Sequence, residues 1–230
     1  MTKFSEFKNG CLQEIPLQLG VFPFGIAYGI LGIEVGLTNI QTYLLSIIIF
    51  AGVSQIVFAQ LFSTFTPSFM IVGTIGIVNL RHILYGVSLS SYLKKLSLKW
   101  RIILSYLITD EAFAISYKRF SEEKKTKYMH FHLLGSGITL WISWQISTLI
   151  GIFIGPSIPN SLNLEYVIPL SFIAIVVVSI NTKIKLIIFI MSALLSILLR
   201  DLPWNLWIIT SALISIIIGV LISNFRKGIK

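Results

Sequence analysis

Charge is scarce in this sequence. Asp, Glu, Lys and Arg make up 12% of its 230 residues, about half of what a soluble domain carries. Hydrophobic residues supply 55% and the mean hydropathy is +0.88, so most of the chain has no water to face. There is a single cysteine, Cys11, which excludes an intramolecular disulfide and a cysteine-based metal site. No nucleotide-binding loop, zinc motif or nucleophile–base arrangement is found. No catalytic residue, metal or cofactor is therefore expected, and the chain does not read as an enzyme. The first 16 residues hold Lys3, Glu6, Lys8 and Glu14 and no apolar core, so no cleavable signal peptide is expected.

The basic residues cluster. Lys94, Lys95, Lys99 and Arg101 form one group, and Lys118, Arg119, Lys124, Lys125 and Lys127 a second, diluted by Glu122 and Glu123. Lys183 with Lys185, and Arg226, Lys227 and Lys230, complete the set. Basic clusters in short connections between apolar runs are a topology signal. A nucleic-acid partner is excluded, because no folded soluble surface is visible to carry such a patch.

What the sequence has in abundance is long apolar runs. A spanning helix needs about 20 such residues. Eight segments approach this: Leu17–Leu37, Gln41–Thr64, Pro67–Ser91, Arg101–Tyr117, Tyr128–Phe153, Leu164–Asn181, Ile184–Leu199 and Asn205–Asn224. The expected fold is all-α, a polytopic membrane helix bundle. Continuous runs of this kind do not fit transmembrane strands, which alternate. The lipid bilayer is thus the first partner.

Residues 1–16 are expected to form an N-terminal helix lying on the membrane surface, with Phe4, Phe7, Cys11, Leu12 and Ile15 on one face. An ordinary solvated tail is the alternative. Residues 17–224 form the bundle and 225–230 a basic tail. Two crossings separate Lys183 and Lys185 from the terminal cluster, and the intervening turn near Arg200 and Asp201 is neutral. This places the C-terminus in the cytoplasm.

If every early segment crosses once, the loop Lys94–Arg101 falls outside. Broken or re-entrant first and fourth segments would keep all basic clusters inside. The first contains Pro23 and five glycines; the fourth is short and carries Asp110 and Glu111 in its middle. Irregular backbone at membrane depth must line a cavity or be buried in protein. A repeat, each half opening with a broken segment near Leu17 and near Arg101, rests on hydropathy alone.

Four ionisable residues and a histidine sit inside apolar segments: Glu34, Arg81, His82, Asp110 and Glu111. A charge at the bilayer centre costs about 2.5–3.5 kcal/mol on insertion scales, so such residues are paired or line a polar path. Arg81 is too deep to snorkel, and Asp110 or Glu111 is its natural partner. Whichever carboxylate is left over has no cation and is free to take and release a proton. The trio reads either as a proton-coupling site or as a structural ion pair that fixes helix register. Glu34, near a segment end, reads as interfacial.

On a helix, Asn79, His82 and Gly86 share one face and Arg81 and Tyr85 a neighbouring one. A span with two polar faces touches protein or water on both. Gly73 and Gly76 extend the Asn79 face as packing positions. In Phe22-Pro23-Phe24-Gly25, proline frees carbonyls and glycine lets backbone approach. Backbone groups freed in this way bind the ends of a zwitterion; a plain kink is the alternative. Gln55 adds a polar group in mid-span, as ligand contact or interhelical hydrogen bond. The candidate substrate contacts are therefore Phe22, Pro23, Phe24, Gly25, Gln55, Asn79, His82 and Tyr85. Gly25 with Gly29, and Gly32 with Gly36, give small-residue packing pairs, and His130 and His132 read as interfacial anchors.

Four of these pieces occur in an order that resembles the AzlC-type branched-chain amino acid permease family. They are Phe22-Pro-Phe-Gly-Ile-Ala-Tyr-Gly29, Phe50-Ala-Gly-Val-Ser-Gln55, Asn79-Leu-Arg-His-Ile-Leu-Tyr-Gly-Val-Ser-Leu89 and Thr109-Asp-Glu-Ala-Phe113. The likeness runs from about Gly20 to the fifth segment and weakens beyond. It implies a secondary exporter of branched-chain and related neutral amino acids across the inner membrane, driven by an ion gradient, expected to be protons. It also implies a small membrane subunit of the AzlD type. The competing reading is a channel-like or regulatory subunit with no coupling site of its own.

Overall fold

The computed structural model describes residues 2–121, 127–157, 180 and 182–227. The sixth predicted segment, Leu164–Asn181, falls almost wholly outside the described residues. So do most of the connection before it, Glu122 to Lys125, and the last three residues. Among the described residues the chain is all-helical, as expected of a membrane bundle.

The first helices are α1 (Lys3–Glu14), α2 (Gln18–Glu34), α3 (Asn39–Ile48), α4 (Gly52–Ser63), α5 (Ser68–Val78) and α6 (Leu80–Leu93). They are followed by α7 (Leu98–Leu107), α8 (Asp110–Ser121), α9 (His130–Ile154), α10 (Lys183–Leu198) and α11 (Leu206–Lys227). Among the described residues, three stretches are long and apolar enough to cross a membrane: Lys3–Glu34, Ser68–Leu93 and His130–Ser157. Two compact units form, residues 1–60 with 78–159, and residues 61–77 with 160–230.

In the first unit α9 is the central post, and α1, α2, α3, α7 and α8 all pack on it. Its contact face is made of small residues, including Gly135, Ser136, Ser147, Thr148 and Gly151. Small residues allow backbones to meet, which is what holds helices together where lipid is as apolar as leucine. Gly29 of α2 and Gly151 of α9 meet in this way: a β-carbon on either would overlap the other's backbone. Gly32 closes against Thr42 of α3. An apolar cluster of Leu89, Leu93, Leu104, Phe120, Met129 and Leu133 joins α6, α7, α8 and the start of α9.

Helix α1 is capped by Thr2, whose hydroxyl accepts from the Ser5 amide, and a single tight turn, Ile15–Leu17, carries it into α2. Its orientation differs from the expected surface helix. Glu6, Gly10 and Glu14 are the buried residues, whereas Phe4 is 73% and Leu12 53% exposed. The polar stripe faces the bundle and the apolar face looks away from it.

Breaks also differ from expectation. The first segment does not break: Pro23 lies inside α2, where one lost hydrogen bond does not outweigh close packing on α9. The helix ends at Gly36, whose φ of +87° lets the Leu37 amide reach the Gly32 carbonyl. The fourth segment does break, between α7 and α8, with Ile108 extended at φ −78°, ψ 107°. The second segment breaks as well, at Ile49–Ala51 between α3 and α4, and Asn79 interrupts the third. The breaks therefore do not open two equivalent halves.

In the second unit α10 and α11 pair, with Gly219 against Ile188 and a hydrogen bond of 3.1 Å from Ser196 to Ser211. The α4 end turns at Phe65, which is left-handed at φ 54° and 95% exposed. Gly73 and Gly76 have no neighbour within packing distance among the described residues.

Candidate functional site

The interruption before α8 places Asp110 and Glu111 in that helix's first turn. Unpaired amides there favour carboxylates. The interruption at Asn79 starts α6, and Arg81, His82 and Tyr85 lie in its first two turns. The two helix starts meet. Arg81 Nη1 donates to Asp110 Oδ2 at 2.6 Å, and the Tyr85 hydroxyl donates to Asp110 Oδ1 at 2.8 Å. Both Asp110 oxygens are thus occupied. The Tyr85 ring stacks on Phe113 with centroids 4.3 Å apart, and His82 stands edge-on to it at 5.8 Å. The pair is only partly sheltered, with side-chain exposures of 30% and 40%. The Arg81 Nε proton has no acceptor.

Asn79 and Gln55 belong to an adjoining arrangement. Ser54 donates to Asn79 Oδ1 at 2.6 Å, tying α4 to the start of α6. Next to Ser54, Gln55 is 1% exposed, and neither its amide oxygen nor its nitrogen has a hydrogen-bond partner. A buried amide left unpaired costs about 1–3 kcal/mol.

The Phe22–Gly25 stretch sits apart from these groups. Gly25 is pressed on Ser147 of α9 and Phe24 lies 5.9 Å from the Trp144 ring. Tyr28 stacks on the other side of that ring, and Gly52, at the start of α4, closes beneath it. Phe22 is partly buried and Pro23 exposed. Glu34 is exposed at the end of α2. His130 packs edge-on against Trp100 at 5.1 Å. His132 is not an interfacial anchor: it is fully buried, with its Nδ1 3.4 Å from the Ser116 hydroxyl.

A polar seam between α1, α8 and α9 was not anticipated from the sequence. At one end Arg119 grips Glu6 through Nη2–Oε1 at 2.6 Å and Nε–Oε2 at 3.2 Å, with both side chains buried. In the middle lie Ser116 and His132. At the other end Glu14 is fully buried and accepts from Gln18 Nε2 at 3.1 Å. Glu14 faces Ser136 and is a charge neighbour of Glu111. The signal was the four-residue spacing of Glu6, Gly10, Glu14 and Gln18, which puts them on one helical face. An open cavity of about 960 Å³ lies elsewhere in this unit, lined by Lys3, Lys95, Trp100, Lys127 and Tyr128 among others. It holds none of the candidate substrate contacts.

Residues 16–158 match the AzlC protein family. The chain is 25% identical over 185 residues to "Inner membrane protein YgaZ" of Escherichia coli (strain K12), covering 77% of this chain and 74% of that one. It is 28% identical over 164 residues to an uncharacterized membrane protein of Archaeoglobus fulgidus, covering 69% and 67%. It is 32% identical over 115 residues to "Branched-chain amino acid transport protein AzlC" of Bacillus subtilis (strain 168), covering 50% of this chain and 44% of that protein. No solved structure matches. With more than half of its length matched, including the Arg81–Asp110 pair and both interrupted segments around it, this membrane protein belongs to the AzlC family.

Proposed function

We propose that the chain is a secondary transporter that exports branched-chain and related neutral amino acids across the cytoplasmic membrane, coupled to protons. It works with a small AzlD-type membrane subunit, and its C-terminus lies in the cytoplasm. The observation that carries this reading is the Arg81–Asp110–Tyr85 cluster, formed where two interrupted helices begin. Ion pairs at membrane depth accompany transport paths, and interrupted helices supply backbone groups for small zwitterions. The free Nε proton of Arg81 and the unpaired amide of Gln55 are donors suited to an amino acid's carboxylate. The matched Bacillus subtilis relative, named for branched-chain amino acid transport, supports the substrate class.

The test is efflux. Cells are loaded with an isoleucine-containing dipeptide, with and without this chain and its small subunit, and free isoleucine is followed inside and outside. Faster appearance outside, abolished by a protonophore, is the expected result. No difference with both proteins present in the membrane would move the channel-like or regulatory reading to the front.

A further inference from the structure

We propose that Glu14, not Asp110, carries the exchangeable proton, with Glu111 as the neighbouring carboxylate that shares it. This rests on the proton-coupled reading above. Asp110 is a poor carrier, because Arg81 and Tyr85 donate to both of its oxygens. Glu14 is in the opposite situation. It is fully buried, its Oε2 makes no hydrogen bond, and the ion pairs among the described residues, Arg81–Asp110 and Arg119–Glu6, leave it without a cation. A carboxylate buried without a counter-charge is costly, and a proton joining it removes that cost.

A second observation points to the same place. The Ser136 hydroxyl, on α9, is fully buried and sits beside the Glu14 carboxylate, which it can reach as a donor. Thr109, at the break before α8, is likewise buried, and its hydroxyl adjoins the Glu111 carboxylate. Two hydroxyls beside two carboxylates can donate to whichever carboxylate is ionised at the time. The seam's titratable and charged groups are Glu6 and Glu14 from α1, Asp110, Glu111 and Arg119 from α8, and His132 from α9, with Arg81 across Asp110. Glu6 and Arg119 neutralise each other, as do Asp110 and Arg81. Glu14, Glu111 and His132 remain, and of these Glu14 and Glu111 are neighbouring like charges.

Dicyclohexylcarbodiimide tests this directly. A protonated carboxyl in an apolar place adds its O–H across one C=N bond, and the acyl group then shifts to nitrogen, leaving a stable N-acylurea with nothing released. The purified full chain is treated at about pH 6 and about pH 9, where a proton-binding site is occupied and empty in turn. Labelled residues are then located by peptide mass. The expected result is label on Glu14 at the lower pH, strongly reduced at the higher, indifferent to sodium and absent in Glu14→Gln. Ser136→Ala, which leaves the carboxyl in place, retains the label and shows that the site survives substitution. Label on Glu111 alone, no label in folded protein, or protection by sodium without pH dependence would overturn the proposal. Labelled Glu14 in a chain that fails the efflux test would leave this site standing while the exporter reading falls.

Discussion

Gly10 of α1 and Gly135 of α9 interlock: a β-carbon on Gly10 would overlap the His132 carbonyl, and one on Gly135 would overlap that of Phe7. The obstacle on each side is backbone, which cannot rotate away. Gly10→Leu or Gly135→Leu is expected to destabilise the purified chain by about 1–3 kcal/mol or more, the usual scale for overpacking. Gly73→Ala and Gly76→Ala, where nothing approaches, should raise stability slightly through helix propensity, by roughly 0.5–1 kcal/mol. Thermal unfolding followed by size-exclusion fluorescence separates the two sets.

Removing one partner of the buried Glu6–Arg119 pair leaves a charge with no compensation. Arg119→Met and Glu6→Met alone should each cost about 3–5 kcal/mol, and the double substitution clearly less than their sum. A double-mutant cycle on unfolding midpoints checks this. Additive losses would mean that the two side chains do not act as a pair.

Helical spans, the family and the meeting of Arg81 with Asp110 were legible in the sequence, because each follows from hydropathy or from the cost of an isolated charge in lipid. The orientation of α1 was not. Its apolar face was read as resting on the membrane surface, with the polar face left to water. In a membrane bundle the polar stripe Glu6–Gly10–Glu14–Gln18 seeks protein and Phe4 and Leu12 face outward. The break at Ile49–Ala51 was hidden for a different reason. It contains no proline, and apolar residues continue through it, so hydropathy registers nothing. Pro23 sent the opposite signal and was absorbed within α2.

Tyr85→Phe deletes the hydroxyl that donates to Asp110 while keeping the ring stacked on Phe113. A hydrogen bond to a charged group is worth about 1.5–3 kcal/mol. Isoleucine efflux should therefore fall about tenfold or more, with little change in the amount of folded protein. Unchanged efflux would remove the cluster from the transport path.

Gln55→Leu should separate stability from function. Two unpartnered buried polar groups disappear, so the melting temperature is expected to rise or hold, by up to about 1–3 kcal/mol equivalent. Isoleucine binding, measured by protection against thermal unfolding, should weaken. A loss of stability instead would show that Gln55 is satisfied by ordered water that the fold requires.

The Tyr106 hydroxyl donates to the Ile47 carbonyl near the end of α3 and accepts from Trp141 Nε1 of α9 at 2.8 Å. One oxygen therefore pins the halves that precede both breaks, α3 and α7, to the same post. The halves that follow, α4 with Gln55 and α8 with Asp110 and Glu111, are not held by that pin. In mechanical terms α3, α7 and α9 form one frame, and the interruptions at Ile49–Ala51 and Ile108–Thr109 both start from it. Loss of that one hydroxyl would loosen the frame at two helix ends at once.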